Sequence, residues 1–313
     1  MKKRLLELLI CPACLPSERP LGASVSRTDG EDILAGDLTC KSCSTRYPVK
    51  DGVGVLLRAP AETERKPHDR YETEPLVSAY LWSQYGDLFG EPEAAKAYRT
   101  WASLAGRDRA LSLDAGCAVG RFTFELSARS EFTVGLDRST AFVRTARRLM
   151  QEGHLTFSLI TEGLLTESRS IALPEAWRAD RTEFIMADAL ALPFPREVFS
   201  FLGSLNLIDK VSKPLQHLRE INRVARGKDS LLLFTDPFSW STESAAVEDW
   251  LGGKNEGPYA GPGIANVRRL LEGEGGVLEP AWRIREQGSV SWTIRNHRNH
   301  RELIRSEYLL AAR

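Results

Sequence analysis

The chain has 313 residues, 42% hydrophobic and 27% charged, a size that suits one large domain plus a small one and excludes a chain disordered throughout. Lys+Arg and Asp+Glu both total 42, so the formal net charge is zero, which argues against a general polyanion-binding surface unless positive charge is locally clustered. No segment approaches the ~18 uninterrupted apolar residues of a membrane helix, so no membrane partner is expected.

Residues 1–10, MKKRLLELLI, begin like a secretory leader, but Glu7 interrupts the apolar run and Cys11-Pro12 stands where a small-residue cleavage site belongs. The expected location is the cytoplasm, where thiols stay reduced and free to bind metal. Cys11, Cys14, Cys40 and Cys43 form two Cys-x-x-Cys clamps with 25 residues between them. Two such clamps supply the four thiolates of a tetrahedral zinc site. Two disulfides are disfavoured by compartment, and a thioredoxin-like pair would leave the second clamp unexplained. With every coordination position filled by protein, such a zinc ion folds its unit and leaves chemistry to the rest of the chain.

Around the clamps, residues 5–10 read as a short helix and residues 47–57 as strand, turn and strand. The leading LLELLICPAC and trailing YPVKDGVGVLL resemble the small zinc-binding proteins that partner, or are fused to, tRNA and ribosomal methyltransferases. The expected organisation is a zinc-binding domain over 1–58, a charged, proline-bearing linker over 59–70, and a catalytic domain over 71–313.

The catalytic domain opens its chemistry at residues 111–126, LSLDAGCAVGRFTFEL, an apolar strand running into a glycine-bearing turn and an amphipathic helix. Gly116 and Gly120 let the backbone turn tightly against a ligand. A second strand ends in Asp137, 21 residues after Gly116, where an acid can accept hydrogen bonds from both ribose hydroxyls. A third ends in Asp188, and a fourth, over residues 199–205, opens into Asn206-Leu-Ile-Asp209.

An NAD enzyme and an S-adenosylmethionine (SAM) methyltransferase share this geometry. The loop is Asp114-x-Gly116-x-x-x-Gly120 rather than Gly-x-Gly-x-x-Gly, and the strand-end acids suit a sulfonium and ammonium ligand better than a pyrophosphate. The four motifs in order resemble class I SAM-dependent methyltransferases. Ala118 departs from that family's Asp-x-Gly-x-Gly-x-Gly, replacing the middle glycine. The resemblance implies an α/β, Rossmann-like, seven-stranded and mostly parallel sheet with an antiparallel last strand. It also implies a cofactor site built from Asp114, Gly116, Cys117, Ala118, Gly120, Arg121, Asp137, Arg138, Asp188, Ala189 and Asn206. Helices over about 74–104 would cover the cofactor mouth.

Residues 71–86, the cofactor loop, the insertion at 162–181, Asn206-Leu-Ile-Asp209, Asp236-Pro-Phe-Ser-Trp240 and Trp250-Leu-Gly-Gly253 together resemble the mercaptohistidine N-methyltransferase domain of ovothiol biosynthesis. This implies methylation of a ring nitrogen of histidine, a thiol-histidine or a related small imidazole amino acid. Asp209 and Asn206 are the expected catalytic or orienting residues. Asp209 or Asp236 would choose the imidazole tautomer and take up the second proton. Tyr80, Tyr85, Trp240 and Trp250 are candidates for an aromatic box around ring and sulfonium, with the 240–250 stretch as a mobile cover. Alternatively, Asp209 gives polarity to a helix entry for which Ser212 is the N-cap.

Two further functions compete. An RNA methyltransferase is suggested by the zinc unit and by residues 281–313, with seven arginines against three glutamates. Residues 1–60 carry nine Lys/Arg against seven Asp/Glu and no basic aromatic platform, which favours a small-molecule substrate. A non-catalytic SAM-fold scaffold is the third reading. His217 is expected on an exposed helix face, and His297 and His300 on a solvated helix before the last strand.

Overall fold

A computed structural model describes residues 1–58, 69–106 and 109–313; the expected linker falls, apart from its last two residues, outside them. The N-terminal unit holds β1 (Leu21–Asp29), β2 (Asp32–Cys40), β3 (Arg46–Lys50) and β4 (Val53–Leu56), preceded by a 3₁₀ turn at Lys3–Leu8. Next come helices α1 (Glu74–Tyr85) and α2 (Lys96–Leu104), strand β5 (Arg109–Ala115), helix α3 (Arg121–Ser127), strand β6 (Ser130–Asp137) and helix α4 (Thr140–Glu152). A hairpin of β7 (His154–Glu162) and β8 (Leu165–Ala172) starts ahead of the expected insertion at 162–181 and overlaps its first part, and β9 (Thr182–Ala187), β10 (Phe201–Leu205), α5 (Pro214–Val224) and β11 (Leu231–Asp236) follow. Helix α6 (Gly263–Leu271) and the long hairpin of β12 (Arg283–His297) and β13 (His300–Ala312) complete the chain.

The expected seven-stranded sheet is present in the order β9-β6-β5-β10-β11-β13-β12, parallel except for the last strand of the chain, β13, which runs antiparallel between β11 and β12. Strand β9 is buried at every position: Phe184 and Met186 pack in one core with Phe142 and Val143 of α4, and Ile185 and Ala187 in another with Leu5 and Leu9 of the N-terminal unit. Local signals fix the flanking helices. The Ser139 hydroxyl caps α4 by accepting from Phe142 N–H at 3.1 Å, and Gly153, at φ 70°, ends that helix in the left-handed conformation.

The N-terminal unit is no separate bead. Strand β4 pairs in parallel with β9, Val55 opposite Met186 and Leu56 opposite Ala187, so β1–β4 extend the sheet to eleven strands. Leu5, Leu9, Cys11 and Leu56 share one core with Phe132 and Ile185 of the large unit. Arg147 of α4 is buried at the junction, its Nε 3.1 Å from Glu183 and its Nη2 3.0 Å from Asp32. Glu183 also accepts from the Lys2 backbone N–H.

Three local expectations change. The region of His297 and His300 forms the turn of the β12–β13 hairpin, because alternating pairing from Arg283 to Ala312 outcompetes a helix there. Helix α5 is preceded by Lys213 and begins on Pro214, with no side-chain cap, so Ser212 does not cap it. His217 is fully buried, its Nε2 2.8 Å from Ser204 Oγ and its Nδ1 3.2 Å from the carbonyl of Ala189. Burial lowers its pKa to about 4, so the ring is neutral and bridges β10 to the segment after β9.

Candidate active site

The four cysteine sulfurs lie within 4.8 Å of one another. Cys11 Sγ is 3.6 Å from Cys43 Sγ and Cys14 Sγ 3.7 Å from Cys40 Sγ. Four thiolates at ~2.3 Å from a common zinc stand ~3.8 Å apart, so the donor set fits the metal. The first clamp hangs from a 3₁₀ turn at Pro12–Cys14 and the second from the end of β2, with the Tyr47 hydroxyl 3.2 Å from Cys11 Sγ.

A cavity of about 210 Å³ opens at the carboxyl ends of β5, β6, β9 and β10, where open α/β sheets bind ligands. The loop after β5 needs left-handed backbone at Gly116 (φ 80°), Ala118 (φ 46°) and Gly120 (φ 91°). A Cβ on Gly120 would come within 2.7 Å of the Phe184 ring, which explains glycine there. Ala118 takes the conformation that a middle glycine would take, at a cost in backbone strain of about 1–2 kcal/mol.

Asp137 holds this loop. Its Oδ2 accepts from Ala118 N–H at 3.0 Å and its Oδ1 from Ser139 N–H at 2.9 Å. Burial raises its pKa, and three backbone donors oppose that rise. Asp114 accepts from the Thr123 hydroxyl at 2.7 Å; burial, opposed by that hydrogen bond and reinforced by the charge of Asp137, raises it to about 7. Asp188 accepts from Leu190 N–H at 2.9 Å and pairs with Arg138 at 3.4 Å. Burial pushes the Cys117 thiol far up, so it stays a neutral wall atom.

Asp114, Gly116, Cys117, Ala118, Asp137, Arg138, Asp188, Ala189, Asn206 and Tyr80 all line the cavity. Asn206 holds a left-handed φ of 55°, and its amide oxygen accepts from Thr235 Oγ1 at 3.1 Å and Ser306 Oγ at 2.6 Å. With that oxygen doubly held, the orientation of the amide toward the cavity is fixed.

Other expected residues stand outside the wall. Arg121 is buried between Asp87, at 2.7 Å, and Glu125, at 2.8 Å, and lies 4.6 Å over the Trp177 ring; it ties the loop to α1 rather than meeting the cavity. Tyr85 is buried with its hydroxyl donating to the Val119 carbonyl at 2.8 Å. Trp240 and Trp250 stack on each other, centroids 6.1 Å apart at 15°, while Glu243 and Ser244 between them reach the cavity. Asp236 is buried, accepting from Ile208 N–H at 3.1 Å and Phe238 N–H at 2.7 Å, and burial together with the neighbouring Asp209 raises its pKa strongly. Asp209 turns its Oδ2 to Ser239 N–H and to Lys210 Nζ, both at 2.9 Å. Sequence reasoning missed the cavity residues Gln84, Tyr98, Trp292 and Lys210.

Residues 2–52 match the Trm112p-like protein family, and residues 113–233 match the methyltransferase domain family. A UPF0434 protein of Methylobacillus flagellatus is 35% identical over 69 residues, spanning 20% of this chain and 97% of that protein. Another UPF0434 protein, from Leptothrix cholodnii, is 31% identical over 67 residues, 21% of this chain and 84% of that protein. Through this segment the chain belongs to the UPF0434 protein family. Among solved structures, the complex between the Haloferax volcanii Trm112 methyltransferase activator and a methyltransferase aligns at 12% identity and TM-score 0.49, covering 80% of this chain and 99% of that one.

This UPF0434 family chain is thus a SAM-dependent methyltransferase whose N-terminal unit is Trm112p-like, with Cys11, Cys14, Cys40 and Cys43 placed to bind zinc. No helix among its described residues is long and apolar enough to cross a membrane.

Proposed function

We propose that the enzyme works in the cytoplasm and methylates a ring nitrogen of a small imidazole-bearing amino acid such as histidine or a thiol-histidine. In this reading Asp137 holds the ribose, and Asp188 and Ala189 the adenine. The Gly116–Gly120 turn holds the methionine part, and the bound cofactor supplies an electrophilic methyl group. The observation that carries the acceptor class is the wall beyond Asn206. Tyr80, Tyr98 and Trp292 line the cavity and pack in one apolar cluster with Leu205, the residue before Asn206, and Gln84, whose Nε2 donates to the Tyr98 hydroxyl at 3.2 Å, adds a polar group to the lining. Such a wall suits a flat heteroaromatic ring and excludes water from the displacement.

A neutral imidazole nitrogen is already nucleophilic, so the protein's main task is to hold it about 3 Å from the methyl carbon, in line with the leaving sulfur. Asn206 is the residue proposed to meet the acceptor. Asp209, turned away from the cavity, acts as a positioning residue rather than a base, and Asp236 fixes the loops around it.

An RNA base is the second reading, favoured by the Trm112p-like unit. Against it, Arg295 and Arg298 are paired with Glu167 at 2.8 and 3.2 Å, Arg301 with Glu91 at 3.5 Å, and Arg313 is spent on backbone carbonyls. The deciding experiment incubates the enzyme with methyl-labelled SAM and separate pools of imidazole amino acids and RNA. Label in a ring-methylated amino acid is expected. Label in RNA alone overturns the reading, and cofactor binding without label in either pool favours the scaffold.

A further inference from the structure

Lys210 belongs to none of the motifs that assemble the cofactor site, yet it lines the same cavity. It is one residue beyond Asp209, in the 3₁₀ turn Ile208–Lys210 that follows β10. Its ammonium is 2.9 Å from Asp209 Oδ2, a carboxylate with no exposed surface that also accepts from Ser239 N–H at 2.9 Å. Asp209 is thereby fixed from the loop after β11, and the ammonium is fixed by Asp209. The lysine side chain keeps one third of its surface exposed, and an ammonium has three donors, so donors remain for a ligand.

The strand order places this cation on one side of the site. Asp137 and Asp188 stand at the ends of β6 and β9, to one side of β5, whereas Lys210 hangs from β10 on the other side. The described lining holds one other cation, Arg138, and it is paired with Asp188 on the cofactor side. Among the described lining residues Lys210 is therefore the cation on the side of β5 opposite Asp137 and Asp188, and Glu243, from the loop after β11, is an acid of the same lining. We propose that Lys210, positioned by Asp209, is the residue that selects the acceptor by receiving its carboxylate. This rests on the small amino-acid reading above and names the acceptor class more narrowly: an amino acid with a free α-carboxylate, in preference to the corresponding amine.

The test compares histidine with its decarboxylated amine, histamine, and each side-chain thiol derivative with its own amine, in the full-length enzyme. Wild type should show a kcat/KM for the amino acid about 10- to 100-fold above that for the amine, the size of a charge-assisted pair. Lys210→Met should collapse that ratio toward one while calorimetric affinity for S-adenosylhomocysteine stays within threefold. Lys210→Arg should restore part of the ratio, and Asp209→Asn should lower it without abolishing it. Equal wild-type turnover of acid and amine overturns this inference alone. So does a Lys210→Met variant whose S-adenosylhomocysteine affinity falls in step with the ratio, since Lys210 would then hold the cofactor's own carboxylate. A wild-type enzyme that methylates no imidazole acceptor removes the acceptor reading and this inference with it.

Discussion

Arg147 and Asp32 meet across the junction of the two units, Nη2 to Oδ1 at 3.0 Å, with the guanidinium 2% exposed. A helix of the methyltransferase unit and a strand of the zinc unit therefore share one buried cation, which Glu183 also neutralises at 3.1 Å. Removing one partner of a buried pair leaves the other charges uncompensated, typically at about 3–5 kcal/mol. Arg147→Met should lower stability by that order and lower the protection of β4 and β9 amides together. Denaturant midpoints and hydrogen exchange check this, and a change confined to α4 would show that the units are not coupled through this residue.

Chelation of zinc should reach beyond the cysteines. Loss of the Cys11, Cys14, Cys40 and Cys43 cluster releases β2 and, through β3 and β4, uncovers the edge of β9. Hydrogen exchange in a metal-free preparation is expected to speed up in β1–β4 and at Met186 and Ala187, which pair with β4, while α6 stays protected. Unchanged protection in β1–β4 would refute the metal's structural role.

Cofactor affinity should depend on pH with a sign set by Asp114. Its folded-state value of about 7 is above the ordinary carboxylate value, so in the ligand-free protein its contribution to stability is present at low pH and is lost as pH rises through about 7. A sulfonium cation favours the ionised form, so SAM affinity should fall from about pH 8 to about pH 6, by up to tenfold per unit below the pKa. S-adenosylhomocysteine lacks the sulfonium charge and should fall less. Calorimetry with both ligands, in wild type and in Asp114→Asn, checks the difference, and parallel curves would reject it.

Ala118 at φ 46° is strained where a glycine would be relaxed. Ala118→Gly relieves about 1–2 kcal/mol of that strain and costs about 0.5–1 kcal/mol in unfolded-chain entropy, a net stabilisation of up to about 1.5 kcal/mol. Melting temperature should rise by a few degrees, and the affinity for S-adenosylhomocysteine a fewfold, since the methyl group lines the cavity. A fall in both would mean that the methyl's packing outweighs its strain.

What was legible in the sequence was local. The cysteine clamps, the glycines at 116 and 120 and the acids at 114, 137 and 188 could be read because each sits at a fixed offset from a strand end. Gln84, Tyr98 and Trp292 could not, because they reach the cavity from the covering helices and from β12, whose place depends on the antiparallel return of β13. Arg121 and Asp209 show the converse. Both stand inside motifs, yet Arg121 is held by Asp87 outside the cavity, and Asp209 is held by Ser239 N–H and Lys210, so that the lysine and not the acid lines the ligand space. His217 looked exposed because a single helix turn cannot reveal that Ser204 and Ala189 would close over it.

The bond from Ser306 to Asn206 links positions one hundred residues apart, while the β4–β9 seam needs nothing beyond Ala187. During synthesis from the N-terminus the zinc unit is finished first and offers a ready strand edge to β9 as it emerges. Asn206 waits for β13, so the nascent chain can build the Asp137 and Asp188 side of the cavity, proposed above for ribose and adenine, well before the amide proposed for the acceptor is held. A chain halted in the α6 region would carry the acids proposed for the cofactor and lack the Ser306 bond that holds Asn206.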